Sequence, residues 1–397
     1  MMFKSNLNFE LITRVISEVD SFRSLCIFLK EKNFKRILLV LDNNLYKNSS
    51  YTKNYVFKLK EKGLIKYTIF FSASHEPSYQ LLDHTIKKIK SRNYHFYDSI
   101  ISIGGGSTID FAKGIATLLK NSGNSLRYRG FPKKLNPSVP IIAIPSTTGT
   151  GSEIAYNAVF TDLKTNTKLG INTKNNYPVL AILDPKILTN TPIKTILHSS
   201  LGALIRSIDT LFNKKSNKIS EFFSEKSFKL IINNLPKILK NRKDLERWSQ
   251  MQWGAYFSVV ALLNSGSGPA GAISYYLSTN YKIPQGMGYA ISGLYFFKKN
   301  HEKGFYNYSK LYDLIEKKNN NKKLSKKAKS IYVLNSLFEI FNKNKNFMKK
   351  INIDSQTVKK IANNISTKIT LNNPIQLNQT EFKEVVKDIL TSRLINN

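Results

Sequence analysis

Residues 101–113 read ISIGGGSTIDFAK, and this stretch predicts how the first half of the chain folds. A buried strand is expected to end at Ile103, three glycines follow, and a helix is expected to begin at Ser107. Glycine lets the backbone approach a ligand, and a helix N-terminus offers unpaired N–H groups and a positive dipole end. The stretch therefore suits a pyrophosphate group, although a tight strand–helix turn capped by Ser107 explains it equally well.

A second loop with similar chemistry follows the next buried strand. Residues 144–153 read IPSTTGTGSE, in which small hydroxyl residues alternate with glycines. Two such loops at the carboxyl ends of parallel strands favour a bound nucleotide over two coincidental turns. Asp42 closes the strand RILLVLD (36–42). An acid there can bond a ribose hydroxyl and repels a 2′-phosphate, which favours NAD over NADP, although Asp is also a common turn residue.

The order of apolar patterns predicts the fold class. Four apolar runs are expected to form buried parallel strands, namely 36–42, 67–72, 98–106 and 139–147. Helical patterns separate these runs, notably at 78–90 and 107–120. Shorter strand-like pieces follow up to Pro185, and from about residue 192 only helical patterns remain. We predict an α/β N-terminal dinucleotide-binding domain with a parallel, Rossmann-like sheet (1–187), followed by an all-helical C-terminal domain (188–397).

Composition narrows the class of protein further. The 397 residues are 41% hydrophobic, which is typical of a globular chain, and no apolar run approaches the roughly 20 residues of a membrane span. With one cysteine, Cys26, and no apolar signal segment at the start, a cytoplasmic location is expected. The formal charge of +35 comes mostly from scattered lysines beside asparagines, so it indicates a solvated surface rather than a specific nucleic-acid partner.

The motifs GGGSTIDFAK, PSTTGTGSEIAYNAVFTD, KLGI and AILDP together resemble the iron-containing (group III) alcohol dehydrogenases, over about residues 30–290. NKKSNKIS (213–220) and AISYYLSTNYKIPQG (272–286) are similar to the phosphonoacetaldehyde reductase branch. The resemblance implies a dinucleotide domain, a helical domain and an NAD(P)-dependent oxidoreductase. It also implies cofactor contacts from the matched residues, which are Gly104, Gly105, Gly106, Ser107, Asp110, Thr147, Thr148 and Lys168.

The same resemblance implies a divalent metal held by one Asp and three His, but the matched positions carry other residues. They are Gly202, Arg206, Gly271 and Gln285. His198, four residues before Gly202, is a lone histidine on that helix face, whereas a zinc or iron site needs at least three protein ligands. The Arg206 guanidinium would repel a divalent ion, with no matched carboxylate to offset it. We therefore expect no bound metal.

Two functional interpretations follow from these substitutions. In the first, the protein still reduces a small aldehyde, such as the anionic phosphonoacetaldehyde, with NADH preferred over NADPH. Arg206 would then stabilise the carbonyl oxygen or bind an anionic group, and Tyr275 would donate a proton. Equally, Arg206 suits a surface or interhelical arginine, and Tyr275 a packed core residue. In the second, the chain is a catalytically degenerate paralogue that binds a nucleotide or a partner. A homodimer is compatible with either.

Overall fold

The computed structural model describes residues 9–72, 76–91, 96–315, 324–347, 354, 356–359 and 370–392. It contains two compact units. The first, here called the sheet unit, comprises Leu11–Pro192 and Lys240–Gln252. The second, the helical unit, comprises Ile193–Leu239, the chain from Trp253 onward and the N-terminal residues up to Glu10.

The sheet unit is built on six parallel strands in the order β1-β10-β5-β4-β2-β3. Their bounds are β1 Arg14–Ser17, β2 Ile37–Asp42, β3 Ile65–Phe71, β4 Ser99–Gly104, β5 Ile141–Pro145 and β10 Leu180–Leu183. The residues of β2, β4, β5 and β10 are all buried, as expected for strands covered on both faces. The edge strand β1 was not predicted, because its four partly exposed residues form no continuous apolar run.

Helices cover both faces of this sheet and create two hydrophobic cores. On β2, Leu38 and Val40 pack with α4 and α5 into one core, whereas Leu39 and Leu41 pack with α1 and α3 into the other. The alternation follows from the two-residue period of a strand. The helices of this unit are α1 Phe22–Glu31, α2 Asn43–Asn48, α3 Ser50–Glu61, α4 Tyr79–Lys90, α5 Gly106–Lys120 and α6 Pro185–Leu188.

Two small antiparallel ladders lie between β5 and β10 in the chain. The first pairs β6 (Asn157–Ala158) with β9 (Ile171–Asn172), and the second pairs β7 (Thr161–Asp162) with β8 (Thr167–Lys168). They account for the strand-like pieces that the sequence shows between 154 and 172. Neither ladder belongs to the six-stranded sheet.

The helical unit consists of long helices. They are α7 Ile193–Phe212, α8 Lys218–Lys240, α9 Leu245–Ser265, α10 Ala270–Tyr281, α11 Gln285–Glu302, α12 Lys326–Lys343 and α13 Gln379–Thr391, of which α8 and α9 cross into the sheet unit. Within the described ranges, no strand follows Leu183. The predicted fold class, a parallel α/β sheet followed by helices, is confirmed. No described helix is both long and apolar enough to cross a membrane.

Candidate functional site

The strands β2 and β4 are neighbours, but the chain leaves them in opposite directions. From β2 it continues to β3 on one side, and from β4 it continues to β5 on the other. The connecting helices α3 and α5 lie on opposite faces of the sheet. Such a reversal opens a crevice beyond the carboxyl ends of the two strands, where ligands bind in doubly wound sheets. Asp42 ends β2 and Gly104 ends β4, so both predicted residues lie at this point.

The glycine turn connects β4 to α5 without a side-chain cap. Helix α5 begins at Gly106, one residue earlier than predicted, and its N-cap is Gly105, which has no side chain to bond the first N–H groups. Ser107 is therefore inside the helix and half-buried, so the predicted cap by Ser107 is wrong, whereas the alternative of a tight strand–helix turn stays untested. The uncapped N–H groups and the helix dipole suit an anionic group such as a pyrophosphate.

The two predicted loops contact each other at this edge of the sheet. The Ser146 N–H donates to the Gly104 carbonyl oxygen at 2.9 Å. A Cβ added to Gly105 would lie 3.2 Å from Thr147 Cγ2, and one added to Gly106 only 2.3 Å from Thr150 Oγ1. The backbone of the glycine turn therefore packs closely against residues 144–153, here called the threonine loop, and leaves little space for side chains at Gly105 and Gly106. A cofactor phosphate approaching that backbone fits this arrangement.

Asp42 has a structural partner of its own. Its carboxylate caps α2 by accepting hydrogen bonds from the N–H groups of Asn44 at 2.9 Å and Leu45 at 3.0 Å. Burial raises the pKa of Asp42, and these two N–H donors oppose the rise. Asp42 therefore has the local structural role that Asp often has at turns and helix starts. It does not exclude a contact with a ribose, because a carboxylate accepts several hydrogen bonds at once.

Asp110 and Lys113 form a buried pair on α5 beneath the glycine turn. Asp110 accepts a hydrogen bond from the Val159 N–H at 3.0 Å, and Lys113 Nζ lies 3.8 Å from the Asp110 carboxylate. Lys113 Nζ also donates to the carbonyl oxygens of Ala155 at 2.7 Å and Asn157 at 2.9 Å. Burial raises the pKa of Asp110, and the neighbouring positive charges oppose that rise. These contacts tie α5 to the chain after the threonine loop.

The remaining predicted cofactor residues differ in their exposure. Thr147 is half-buried, whereas the Thr148 side chain is almost fully buried. Lys168 on β8 is also buried and forms an ion pair with Glu76. Its charge contributes to the electrostatic environment of Asp110. The structure thus brings Thr147 to the glycine turn and couples Lys168 to Asp110. A cofactor contact for each of these residues stays a prediction.

We expect Lys113 to make the stability of the protein rise with pH. Burial lowers the pKa of Lys113 to about 8, whereas a lysine in an unfolded chain titrates near 10.4. Between those values the unfolded state binds more protons, so the free energy of unfolding should increase by up to about 1.4 kcal/mol per pH unit. Urea unfolding of the parent chain and of Lys113→Met, at about pH 7.5 and about pH 9.5, isolates this slope. A pH-independent difference between the two proteins would contradict the expectation.

In the helical unit, a close helix crossing occupies the position of the matched Asp. A Cβ added to Gly202 on α7 would lie 2.9 Å from both Cα and the carbonyl oxygen of Gly286 on α11. Conversely, a Cβ added to Gly286 would lie 2.3 Å from the His198 carbonyl oxygen. The obstacles are backbone atoms, which cannot rotate away as side chains do. Gly202 is therefore a packing residue, and the two helices meet through backbone contact.

The other matched positions lie on three helices. Gln285 is the first residue of α11, and Gly271 lies in the first turn of α10, where an added Cβ would meet Ser267 Oγ at 2.9 Å. Glycine provides no side-chain ligand and Arg206 provides no acceptor. Among the residues that the structure describes, no three His, Cys, Asp or Glu side chains are grouped so as to hold a metal ion. The residues present do not fit the metal of the family.

Arg206 lies in a polar cluster that the sequence did not predict. Its Nη1 donates to Ser258 Oγ at 3.2 Å, and its guanidinium carbon lies 5.6 Å from the centre of the Tyr289 ring. The buried Asp209, one turn along α7, accepts hydrogen bonds from the Tyr289 hydroxyl at 2.5 Å and the Gly268 N–H at 2.8 Å. Burial raises the pKa of Asp209, and the charge of Arg206 opposes that rise.

Asp209 changes the electrostatic argument made from the sequence. We expected Arg206 to have no carboxylate to offset its charge, and this was wrong, because Asp209 lies close enough for the two charges to interact. The three-residue spacing on one helix could have shown the pair. Tyr289 lies 80 residues from Asp209 in sequence, and no local signal could have found it.

Tyr275 on α10 is 36% exposed, so the core interpretation of this residue is wrong. Its exposure is compatible with proton donation, which stays a prediction. His198 is 7% exposed, and its carbonyl oxygen lies against Gly286. Arg206 is half-buried and contacts Ser258 on α9 and Tyr289 on α11, so of the two structural alternatives the interhelical arginine is the one that its contacts support.

Comparison with known families covers nearly all of the chain. Residues 13–185 match the family model described as iron-containing alcohol dehydrogenase. Residues 196–390 match the model for the C-terminal part of the Fe-containing alcohol dehydrogenase family. The break between the two matches coincides with the change from strands to helices.

Individual relatives give a consistent result. The NAD-dependent methanol dehydrogenase of Bacillus methanolicus is 30% identical over 259 residues, which are 65% of this chain and 67% of that protein. The sulfoacetaldehyde reductase of Bilophila wadsworthia is 28% identical over 225 residues, 57% of each chain. The crystal structure of the sulfoacetaldehyde reductase of Bifidobacterium kashiwanohense in complex with NAD⁺ has a TM-score of 0.82 at 17% identity, covering 97% of this chain and 99% of that one.

Proposed function

The chain belongs to the iron-containing alcohol dehydrogenase family, and from that premise we propose that it is an NADH-dependent reductase of a small anionic aldehyde that works without a bound metal. Its relatives include an NAD-dependent methanol dehydrogenase and a sulfoacetaldehyde reductase. The observation that carries the proposal is the uncapped glycine turn at the switch point of the sheet, in contact with the threonine loop.

The sheet unit would hold the cofactor through backbone and small side chains. The N–H groups around Gly105 and Gly106 face the pyrophosphate, with Ser107, Thr147 and Thr148 as neighbouring hydroxyls; Asp42 accepts from the ribose, and Asp110 and Lys168 support the same region. When bound, the nicotinamide supplies the hydride. The protein's own task is to fix the cofactor in one orientation and to keep the phosphates beside the helix dipole.

In the helical unit, Arg206 would bind the anionic group of the substrate. A guanidinium offers two parallel N–H donors to a sulfonate or phosphonate, and it carries its charge at every physiological pH. A relative acts on sulfoacetaldehyde, which is an anionic aldehyde of this kind. Tyr275, with its exposed side chain, would donate the proton that the reduced carbonyl oxygen requires. In the alternative geometry, Arg206 stabilises the carbonyl oxygen itself.

The test is a reductase assay with metal analysis. Purified protein is mixed with NADH and a panel of sulfoacetaldehyde, phosphonoacetaldehyde and neutral aldehydes, with and without EDTA. We expect turnover of the anionic aldehydes, resistance to EDTA and no stoichiometric iron or zinc. About one tightly bound ion per chain, or activity that EDTA abolishes and Fe²⁺ restores, would refute the metal-independent mechanism.

A degenerate paralogue is the second candidate function, because all four positions matched to metal ligands carry other residues. It predicts that NADH binds while no aldehyde of the panel is reduced, whether or not metal is added. The reductase predicts turnover with at least one anionic aldehyde. The same assay therefore separates the two functions.

Asp42 is expected to make NADH bind about tenfold more tightly than NADPH, because the buried carboxylate would repel the 2′-phosphate. Asp42→Asn should narrow this preference while preserving the cap of α2, since Asn caps helices as well as Asp does. Isothermal titration of both proteins with both cofactors measures the change. Equal affinities of the parent chain for NADH and NADPH would remove Asp42 from the cofactor site.

Three expectations from the sequence stay predictions. They are the domain bounds 1–187 and 188–397, the cytoplasmic location and the homodimer. Small-molecule alcohols and aldehydes are the partners that fit the family, whose relatives act on them.

A further inference from the structure

We propose that Asp209 and Tyr289 are positioning residues that hold the Arg206 guanidinium in one orientation for the anionic group of the substrate. The inference rests on the proposed function, because it assumes that Arg206 binds this group. Neither Asp209 nor Tyr289 belongs to a motif that the sequence indicated as functional. Neither residue contacts the substrate in this proposal; each acts through Arg206.

The geometry places the three side chains in one assembly. Arg206 and Asp209 are three residues apart on α7, a spacing that places side chains on the same helix face. Tyr289 on α11 contacts both: its ring lies beneath the guanidinium at 5.6 Å, and its hydroxyl donates to Asp209 at 2.5 Å. Ser258 on α9 accepts from Nη1 and fixes the other side of the guanidinium.

Asp209 is itself held rigidly. The Gly268 N–H donates to its Oδ2 atom at 2.8 Å, and a Cβ added to Gly268 would lie 2.1 Å from its Oδ1 atom. The Tyr289 hydroxyl is also near Ser267 Oγ, at 3.2 Å. The carboxylate and the phenol therefore have little freedom to move, and the Tyr289 ring that contacts Arg206 is held in a defined position.

Burial distinguishes the supporting residues from the residue that they support. Asp209 and Tyr289 are 5% and 6% exposed, whereas Arg206 is half-buried. Placing a carboxylate in such an environment is costly, and a neutral side chain would fill the same space without that cost. A buried acidic side chain near a partly accessible guanidinium suits a preorganised anion site. Preorganisation improves binding by reducing the freedom that the arginine loses.

Two variants distinguish a positioning role of Asp209 and Tyr289 from a purely electrostatic effect of the Asp209 charge. Asp209→Asn removes a negative charge near Arg206, so electrostatics alone predicts tighter binding of an anion. Positioning predicts the opposite: the KM for sulfoacetaldehyde should rise about tenfold, with little change for propanal, a neutral aldehyde. Tyr289→Phe keeps the ring and all charges but removes the bond to Asp209, and a rise of about threefold in the same KM is expected. Tighter binding of sulfoacetaldehyde by Asp209→Asn would overturn the proposal.

Tyr295→Phe is the matched control, because Tyr295 lies on the same helix and its hydroxyl donates to Ser392 at 2.8 Å instead. It should leave both KM values unchanged. If Asp209→Asn does not fold, the KM values of Tyr289→Phe alone test the positioning role. An equal loss toward sulfoacetaldehyde and propanal in Tyr289→Phe would indicate a merely structural role and overturn the proposal.

A binding measurement makes the inference testable apart from turnover. Thermal unfolding with NAD⁺ and 2-hydroxyethanesulfonate, the reduced form of sulfoacetaldehyde, reports anion binding directly. We expect the sulfonate to raise the melting temperature of the parent chain and of Tyr295→Phe, and to do so much less in Tyr289→Phe. Equal shifts in all three proteins would overturn the positioning role. A parent chain that binds the sulfonate but reduces no aldehyde would refute the proposed function and leave the positioning role standing.

Discussion

Replacing Gly105 by leucine is expected to lower the affinity for NADH by about 100-fold, which corresponds to about 2.8 kcal/mol. The backbone at Gly105 has φ −75° and ψ −179°, a conformation that any residue adopts, so the substitution does not strain the turn. Its added Cβ would lie 3.2 Å from Thr147 Cγ2. A leucine side chain must therefore extend into the space where we place the pyrophosphate. Isothermal titration with NADH measures the effect.

Gly105→Ala is the matched control for this prediction. Its single methyl group needs a shift of only a few tenths of an ångström at Thr147, so a loss much smaller than that of Gly105→Leu is expected. Circular dichroism and thermal unfolding of both variants should match the parent chain, since Gly105 is half-buried in the turn between β4 and α5. Unchanged NADH affinity in the leucine variant would mean that the glycine motif is only a turn.

Restoring the matched metal ligands should unfold the site rather than rebuild it. In Gly202→Asp, the Cβ would lie 2.9 Å from backbone atoms of Gly286, so α7 and α11 must separate. Overpacking together with a newly buried carboxylate should cost about 3 kcal/mol or more. The variant that combines Gly202→Asp with Arg206→His, Gly271→His and Gln285→His is expected to be equally destabilised. It should hold no stoichiometric iron or zinc in elemental analysis.

Two controls identify the helix crossing as the cause. Gly271→Ala adds a Cβ whose one close contact is the rotatable Ser267 hydroxyl at 2.9 Å, with Tyr289 Cε2 at an ordinary 3.5 Å, so its stability in urea should be close to that of the parent chain. The triple histidine variant without Gly202→Asp lacks the backbone clash and should be more stable than the fourfold variant. A fourfold variant that unfolds like the parent chain and binds about one metal ion would show that the helices can separate at little cost.

The elements of the candidate cofactor site could be predicted from the sequence because their signals are local. A strand, a glycine turn and a helix follow one another within residues 99–120, and each element has its own apolar period or backbone requirement. The threonine loop is recognisable in the same way. Their contact with each other follows from the parallel order of β4 and β5, which the alternation of strands and helices indicates.

The sequence could not predict how those local elements use their polar groups. Asp42 caps α2 by accepting two backbone hydrogen bonds. Lys113 is buried and donates to carbonyl groups more than 40 residues away in sequence. Both facts depend on which backbone groups the folded chain brings close. The periodicity of the sequence does not indicate which backbone groups these side chains will contact.

The sequence by itself determined the family and the division into a strand-rich and a helical half, since each is a matter of residue type and spacing. It also predicts that Gly202, Arg206, Gly271 and Gln285 replace the metal ligands of the family. Only the tertiary structure decided what the replacements do. Gly202 allows two helix backbones to meet, and the half-buried Arg206 joins the buried Asp209 and Tyr289 in one cluster. The physical reason is that a backbone clash or a contact between side chains of different helices depends on atoms far apart in the chain, whose distances are set by packing.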